Sequence, residues 1–201
     1  ISLVRWRFIL LASGMGFLLF SGCTMIALGP AIAVFLLVVS PNANLVILST
    51  LSGFIWICSI SMAAILWLMI PPLQGFLAIS LIEGVVSQEI GRYAYYQLCA
   101  AAERRVAALS SQKLFSPNNF DSILASGLGF GVASALVRVG STLERAVGPG
   151  TSYAAACPAM SVYLNAALHA CLTVAFNVFL MVVAVDAYRS RAKWRGAAAV
   201  A

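Results

Sequence analysis

Long apolar runs separated by short polar breaks extend along almost the whole chain. Five of these runs reach the about 20 apolar residues that a helix needs to cross a bilayer. They lie at residues 15–39, 44–70, 73–98, 120–144 and 159–186. The breaks between them carry turn-forming residues, as at 40–44, Pro71-Pro72 and 148–150. The pattern predicts an all-α fold, a polytopic bundle of five transmembrane helices.

The composition supports a membrane location. Hydrophobic residues make up 62% of the chain and charged residues only 9%, whereas a soluble domain has about 25% charged residues. The net charge is +6, but the basic residues cluster at the ends of apolar runs. Membrane topology explains such clusters, so we expect contact with a lipid bilayer and no nucleic-acid binding.

The same basic residues predict the orientation. The connection at 100–119 contains Arg104, Arg105 and Lys113, and further basic residues follow Asp186. Because loops rich in Lys and Arg stay on the cytoplasmic side, both regions are predicted to be cytoplasmic and the start of the first span lumenal.

Arg5 and Arg7 oppose this orientation, and the chain begins with Ile1. We therefore expect residues 1–14 to be an extension foreign to the native chain, with Met15 as the natural start. Residues 15–195 are predicted to form a single membrane domain, and 196–201 a tail at a truncation.

A stripe of small residues marks the fourth predicted span. Gly127, Gly131 and Ala135 recur every four positions and share one helix face. Small-xxx-small stripes allow close helix approach in membranes. The stripe could pack a partner helix or only another helix of the same chain.

A polar patch closes the third predicted span, with Gln88, Glu89, Arg92 and Tyr96. Glu89, Arg92 and Tyr96 stand three and four residues apart and therefore share a face. A carboxylate and a guanidinium at this spacing neutralise each other. The patch could dock a partner or anchor the helix at the membrane edge.

Other candidates for chemistry are weaker. Glu83 and Arg138 are charges inside predicted spans, and the alternative function they support is a small transporter or channel. Ser126 and His169 could form a serine-protease dyad, but Ser126 lacks the glycine-flanked loop that such a nucleophile needs. We expect no catalytic residues, no metal site and no cofactor.

Ordered motifs cover about residues 15–195. They are the segment 22–36, Gln88-Glu89 with Arg92, Tyr93-Ala94-Tyr95-Tyr96, Ser126-Gly127-Leu128 with Gly131, Gly148-Pro149-Gly150 and Val185-Asp186-Ala187. In this order and spacing they resemble the anterior-pharynx-defective subunit of gamma-secretase, an intramembrane aspartyl protease complex.

The resemblance implies a non-catalytic scaffold that joins nicastrin first and then presenilin and the presenilin enhancer protein. The complex processes membrane proteins such as Notch and amyloid precursor. The implied location is the endoplasmic reticulum, Golgi and plasma membrane, with a lumenal N-terminus. The family's helix-packing glycines correspond to Gly127 and Gly131, with Ala135 as the third small residue.

The chain also departs from the family pattern. The family has seven spans, so we interpret these five as a fragment or an aberrant gene model. Counting back from Asp186, the family's fifth-span histidine falls on Asn177. His169 lies eight residues earlier and roughly 80° round the helix, so we do not treat it as equivalent.

Overall fold

The computed structural model describes residues 2–70, 77–109, 119–146, 153–154 and 157–200. Its architecture is the predicted all-α helical bundle. The helices are α1 (Ser2–Val34), α2 (Ala43–Met69), α3 (Leu77–Leu109), α4 (Phe120–Ala146) and α5 (Val162–Val200). Two short antiparallel strands precede α5, β1 (Tyr153–Ala154) and β2 (Cys157–Ser161).

The helix type changes at the end of α1, before the turn that leads to α2. After Val34, α1 passes into a π-helical segment, Phe35–Val39, and the amide of Ser40 donates to the carbonyl of Phe35 at 2.8 Å. Asn42 then leaves the helical conformation and precedes α2. This short turn connects α1 to α2.

The observed helix bounds differ from the predicted spans at several ends. The third helix begins at Leu77 and continues to Leu109, beyond the predicted end at residue 98. The predicted fifth span began at residue 159, but residues up to Ser161 belong to β2. The predicted breaks at Pro71-Pro72 and 148–150 lie outside the described residues, as do residues 110–118 of the 100–119 connection.

Ile70, at the end of α2, has the extended backbone that a following proline favours, and Pro71 follows it directly. The first helix continues without a break through Met15, the residue predicted to be the natural start.

Four helical stretches within the described ranges are long and apolar enough to cross a membrane: Phe17–Val39, Ala43–Met69, Phe120–Gly140 and Val162–Ser190. The third helix is not among them. Its apolar part carries Glu83, Glu89 and Arg92, which lower its hydropathy. A membrane-spanning α3 therefore stays a prediction.

The fourth helix lies at the centre of the bundle. In α4, 61% of the most apolar stretch is buried, whereas the corresponding share in the other three apolar helices is 22–33%. It packs most extensively against α5 and α2, while α1 covers α5 and α4 and α3 lies against α2. Large apolar side chains on the outer faces, such as Leu37, Phe54 and Leu172, are exposed as lipid contact requires.

Candidate interhelical site

The small-residue stripe of α4 is covered by α5 of the same chain. A β-carbon added to Gly127 would lie 2.7 Å from the Cα of Val178, and one added to Gly131 would lie 2.9 Å from the Cα of Val174. Real β-carbons do not approach a backbone this closely, so the two helices could not keep this distance with larger residues. Ala135 is fully buried on the same face.

This packing bears on whether the stripe contacts a partner helix or another helix of the same chain. At Gly127 and Gly131 the available space is filled by α5, which is the internal alternative that the sequence left open. Any influence of these glycines on a partner subunit must act through the position of α5.

The opposite face of α4 is packed even more tightly. A β-carbon on Gly129 would lie 2.0 Å from the carbonyl oxygen of Ser49 and 2.1 Å from Oγ of Ser52, both on α2. Gly53 of α2 meets the carbonyl of Gly129 in return, at 3.2 Å from its own added β-carbon. Because two residues turn a helix by about 200°, glycines spaced two apart serve opposite faces.

A buried guanidinium joins α3 to α5. The side chain of Arg92 is 2% exposed and donates from Nη1 to the carboxylate of Glu89 and from Nη2 to Oδ1 of Asn177 at 2.7 Å. It also lies over the ring of Phe130 on α4, 5.7 Å from the ring centroid. A buried charge is tolerated when it is paired and hydrogen-bonded, as this one is.

Asn177 extends this network to α4. Its Nδ2 donates to Oγ of Ser134 at 3.1 Å and to the carbonyl of Thr173 at 2.9 Å, and Ser134 donates to the carbonyl of Gly131. The resemblance places a histidine at this position. A neutral imidazole has one donor and one acceptor, and one of each is what Asn177 presents to Ser134 and Arg92.

A second buried hydrogen-bond network also contacts Phe130. Ser126 donates to the carbonyl of Ser122 and accepts from the hydroxyl of Tyr95, both at 2.6 Å. The Tyr95 ring meets Phe130 edge to face, with centroids 6.2 Å apart. Side chains of both networks thus link α3 to α4 through Phe130.

The remaining predicted site residues lie nearer the surface. Tyr96 packs against Tyr188 of α5 with ring centroids 5.4 Å apart, and Tyr93 contacts the same ring at the same centroid distance. Asp186 is exposed. Gln88 lines a cavity and does not take part in the hydrogen bonds of Arg92.

This cavity lies between α3, α4 and α5 and has a volume of about 860 Å³. Glu89, Arg92, Arg138, His169 and Asn177 contribute its charged and polar walls. Glu83 lines a different cavity, between α2 and α3.

The structure does not bring Glu83 and Arg138 together, since the two line separate cavities and form no ion pair in the described part of the chain. Ser126 is likewise not assembled with His169. Its hydroxyl is held by Tyr95 and Ser122 and does not line the cavity that His169 lines. The described ranges also contain no group of three potential metal ligands.

Comparison with known proteins matches this bundle to one family. A family model described as Aph-1 protein covers residues 18–201. The chain belongs to the Aph-1 family. The first fourteen residues, predicted to be foreign, lie outside this match.

Among Aph-1 relatives, the gamma-secretase subunit Aph-1 of Drosophila melanogaster is 32% identical over 132 residues, 66% of this chain and 55% of that protein. The subunit Aph-1b of Danio rerio is also 32% identical, with the same coverage. The APH1-like subunit of Arabidopsis thaliana is 30% identical over 83% of this chain and 70% of its own. The chain spans about half the length of the first two relatives.

Several residues that form the interhelical contacts described above are not evident from motif spacing. Gly129, Phe130 and Ser134 form contacts to three different helices. A signal for Gly129 was present, since Gly127-Leu-Gly129-Phe-Gly131 places small residues on both faces of α4. No comparable local signal marks Phe130 or Ser134, because their partners are distant in sequence.

Proposed function

We propose that this Aph-1 chain is a non-catalytic scaffold and assembly subunit of gamma-secretase. The family match over residues 18–201 carries this proposal, together with relatives that are named gamma-secretase subunits. The helix arrangement is compatible with such a role, because α4 is locked to α2 and α5 by backbone-level contacts. A rigid bundle presents its outer helix faces in a fixed geometry.

The proposed partners are nicastrin, presenilin and the presenilin enhancer protein. Assembly begins with nicastrin, and presenilin supplies the catalytic aspartates that cleave membrane proteins such as Notch and amyloid precursor. Partner helices would pack on the outer apolar faces, where side chains such as Phe54, Leu81 and Ile90 are exposed. The inner stripe at Gly127 and Gly131 would act indirectly, by holding α5 in place.

The protein is proposed to reside in the endoplasmic reticulum, Golgi and plasma membrane with a lumenal N-terminus and five spans. Under this topology the C-terminal ends of α3 and α5 lie on the cytoplasmic side. Arg104, Arg105 and Arg189 lie in these regions, in agreement with the rule for basic loops.

Co-purification tests the proposal. The full chain is co-expressed with the nicastrin of the same organism, without presenilin, and isolated in mild detergent. We expect nicastrin to be retained, since the resemblance implies that these two subunits join first. A chain that is monodisperse and helical in the same detergent but retains no nicastrin would overturn the assignment.

A matched pair of α4 variants tests how the bundle contributes. Gly131→Leu should lower nicastrin recovery by about tenfold, because the added side chain must displace the backbone of Val174. Gly140→Leu introduces the same side chain on the same helix where nothing lies within 4 Å. Recovery that falls equally for both variants would contradict an indirect role of the stripe.

A further inference from the structure

The cavity between α3, α4 and α5 contains a basic group that the helix-packing network does not use. Its volume of about 860 Å³ lies within the range of small-ligand sites. Arg92 at its inner wall is neutralised by Glu89 and hydrogen-bonded to Asn177. Arg138 therefore provides the net positive charge of the described walls.

Arg138 is exposed and has neither an ion pair nor a hydrogen bond within the part of the chain that the structure describes. It lies 18 residues after Phe120, or about 27 Å along the helix, near the far boundary of a hydrocarbon core about 30 Å thick. A basic residue at such a depth is stabilised by an anion or by reaching the headgroups.

The helix register brings a second polar group to the same level. Gly127 faces Val178 and Gly131 faces Val174, so α4 and α5 are antiparallel with matched positions. Continuing this register places Arg138 level with residue 167, two residues from His169. Both side chains line the cavity.

An apolar track leads away from this basic end. Leu172, Phe176 and Phe179 line the cavity at helical spacing and are 65%, 59% and 62% exposed. From His169 to Phe179 the track is about 15 Å long. A charged end joined to an exposed apolar track matches an amphiphile with one anionic headgroup and an acyl chain.

We propose that this cavity binds an anionic phospholipid, with the phosphate at Arg138 and His169 and an acyl chain along Leu172, Phe176 and Phe179. The site recognises a phosphate whose negative charge is not neutralised by a cation in the same headgroup, which separates anionic from zwitterionic phospholipids. The lipid is favoured over a free anion because the apolar track continues directly from the basic end. This site is independent of the proposed scaffold function.

Native mass spectrometry of the purified full chain tests the proposal, with phosphatidylglycerol and phosphatidylcholine as probes. The wild type should retain phosphatidylglycerol about tenfold more strongly than phosphatidylcholine. Arg138→Gln should abolish this preference. Arg105→Gln removes the same charge from an exposed position at the end of α3, and it should change the preference by less than about twofold.

A second variant fills the cavity without changing any charge. Ala175→Trp introduces a bulky side chain at a lining position and should weaken phosphatidylglycerol binding in parallel with Arg138→Gln. Equal retention of both lipids by the wild type, or an unchanged preference in Arg138→Gln, would overturn the proposal. Inorganic phosphate that binds as strongly as the lipid would show a free-anion site and overturn the lipid assignment.

Discussion

At the scale of single residues, Arg92 is the most demanding group in the described structure. Its guanidinium is buried among apolar helices, where an unpaired charge would be very costly. Glu89 compensates the charge from the same helix, and Asn177 and Phe130 complete the contacts from α5 and α4. A cation that three helices must satisfy together specifies their mutual position.

The first prediction concerns Asn177. Asn177→Ala removes the acceptor of Arg92 and the donor to Ser134, and we expect a loss of about 2 kcal/mol in unfolding free energy. Thermal unfolding in detergent, followed by tryptophan fluorescence, measures the effect. Asn165→Ala is the matched control, because Asn165 is an exposed asparagine on the same helix.

A conservative variant separates this explanation from simple loss of volume. Asn177→His restores one donor and one acceptor, so it should unfold closer to wild type than Asn177→Ala does. If both variants are destabilised equally, the hydrogen bonds at this position do not account for its contribution.

At the scale of helices, α4 functions as a double-sided packing element. Gly127 and Gly131 admit α5 on one face, and Gly129 admits α2 on the other. Lipid contributes no hydrophobic drive between helices, so such close contacts supply much of the association energy. We therefore expect the stability of the bundle to be more sensitive to substitutions in α4 than to substitutions in its outer helices.

The second prediction compares glycines along α4. Gly129→Ala should destabilise the bundle more than Gly131→Ala, because its methyl group would overlap the backbone of Ser49 at 2.0 Å rather than meet Val174 at 2.9 Å. Unfolding temperature in detergent provides the measurement.

Gly140 provides the control for this series. A β-carbon there meets nothing within 4 Å, so Gly140→Ala should stabilise α4 by up to about 1 kcal/mol through helix propensity. A ranking in which Gly140→Ala is as harmful as Gly129→Ala would show that the glycines matter for flexibility rather than for close packing.

At the scale of the whole molecule, the predicted topology places the end of α3 and strand β1 on opposite sides of the membrane. The third prediction is that Arg105→Cys reacts with an impermeant maleimide from the cytoplasmic side of sealed membranes and Tyr153→Cys from the lumenal side. Both positions are exposed. The two variants are made in a protein from which the native cysteines have been removed. The expected pattern follows from the basic residues near Arg105.

Phe54→Cys is the control for membrane burial, since Phe54 is 62% exposed yet lies in the middle of α2. It should react from neither side. A reversed pattern for Arg105→Cys and Tyr153→Cys would show the opposite orientation, and labelling of both from one side would contradict an odd number of spans between them.

Local sequence was sufficient for much of the fold. The apolar runs predicted helices at the right places because burying a backbone in lipid leaves the helix as the simplest solution. The pair Glu89 and Arg92 was also evident, since residues three apart meet on one helix turn. Family membership followed from ordered motifs and was confirmed by comparison.

Only the tertiary structure decided which surfaces meet. A glycine stripe shows that some helix can approach, but not which one, and the structure assigns α5 to Gly127 and α2 to Gly129. Asn177 and Arg92 are 85 residues apart, so no local pattern links them. Helix formation depends on neighbours along the chain, whereas the partners of a buried polar group depend on how complete helices pack.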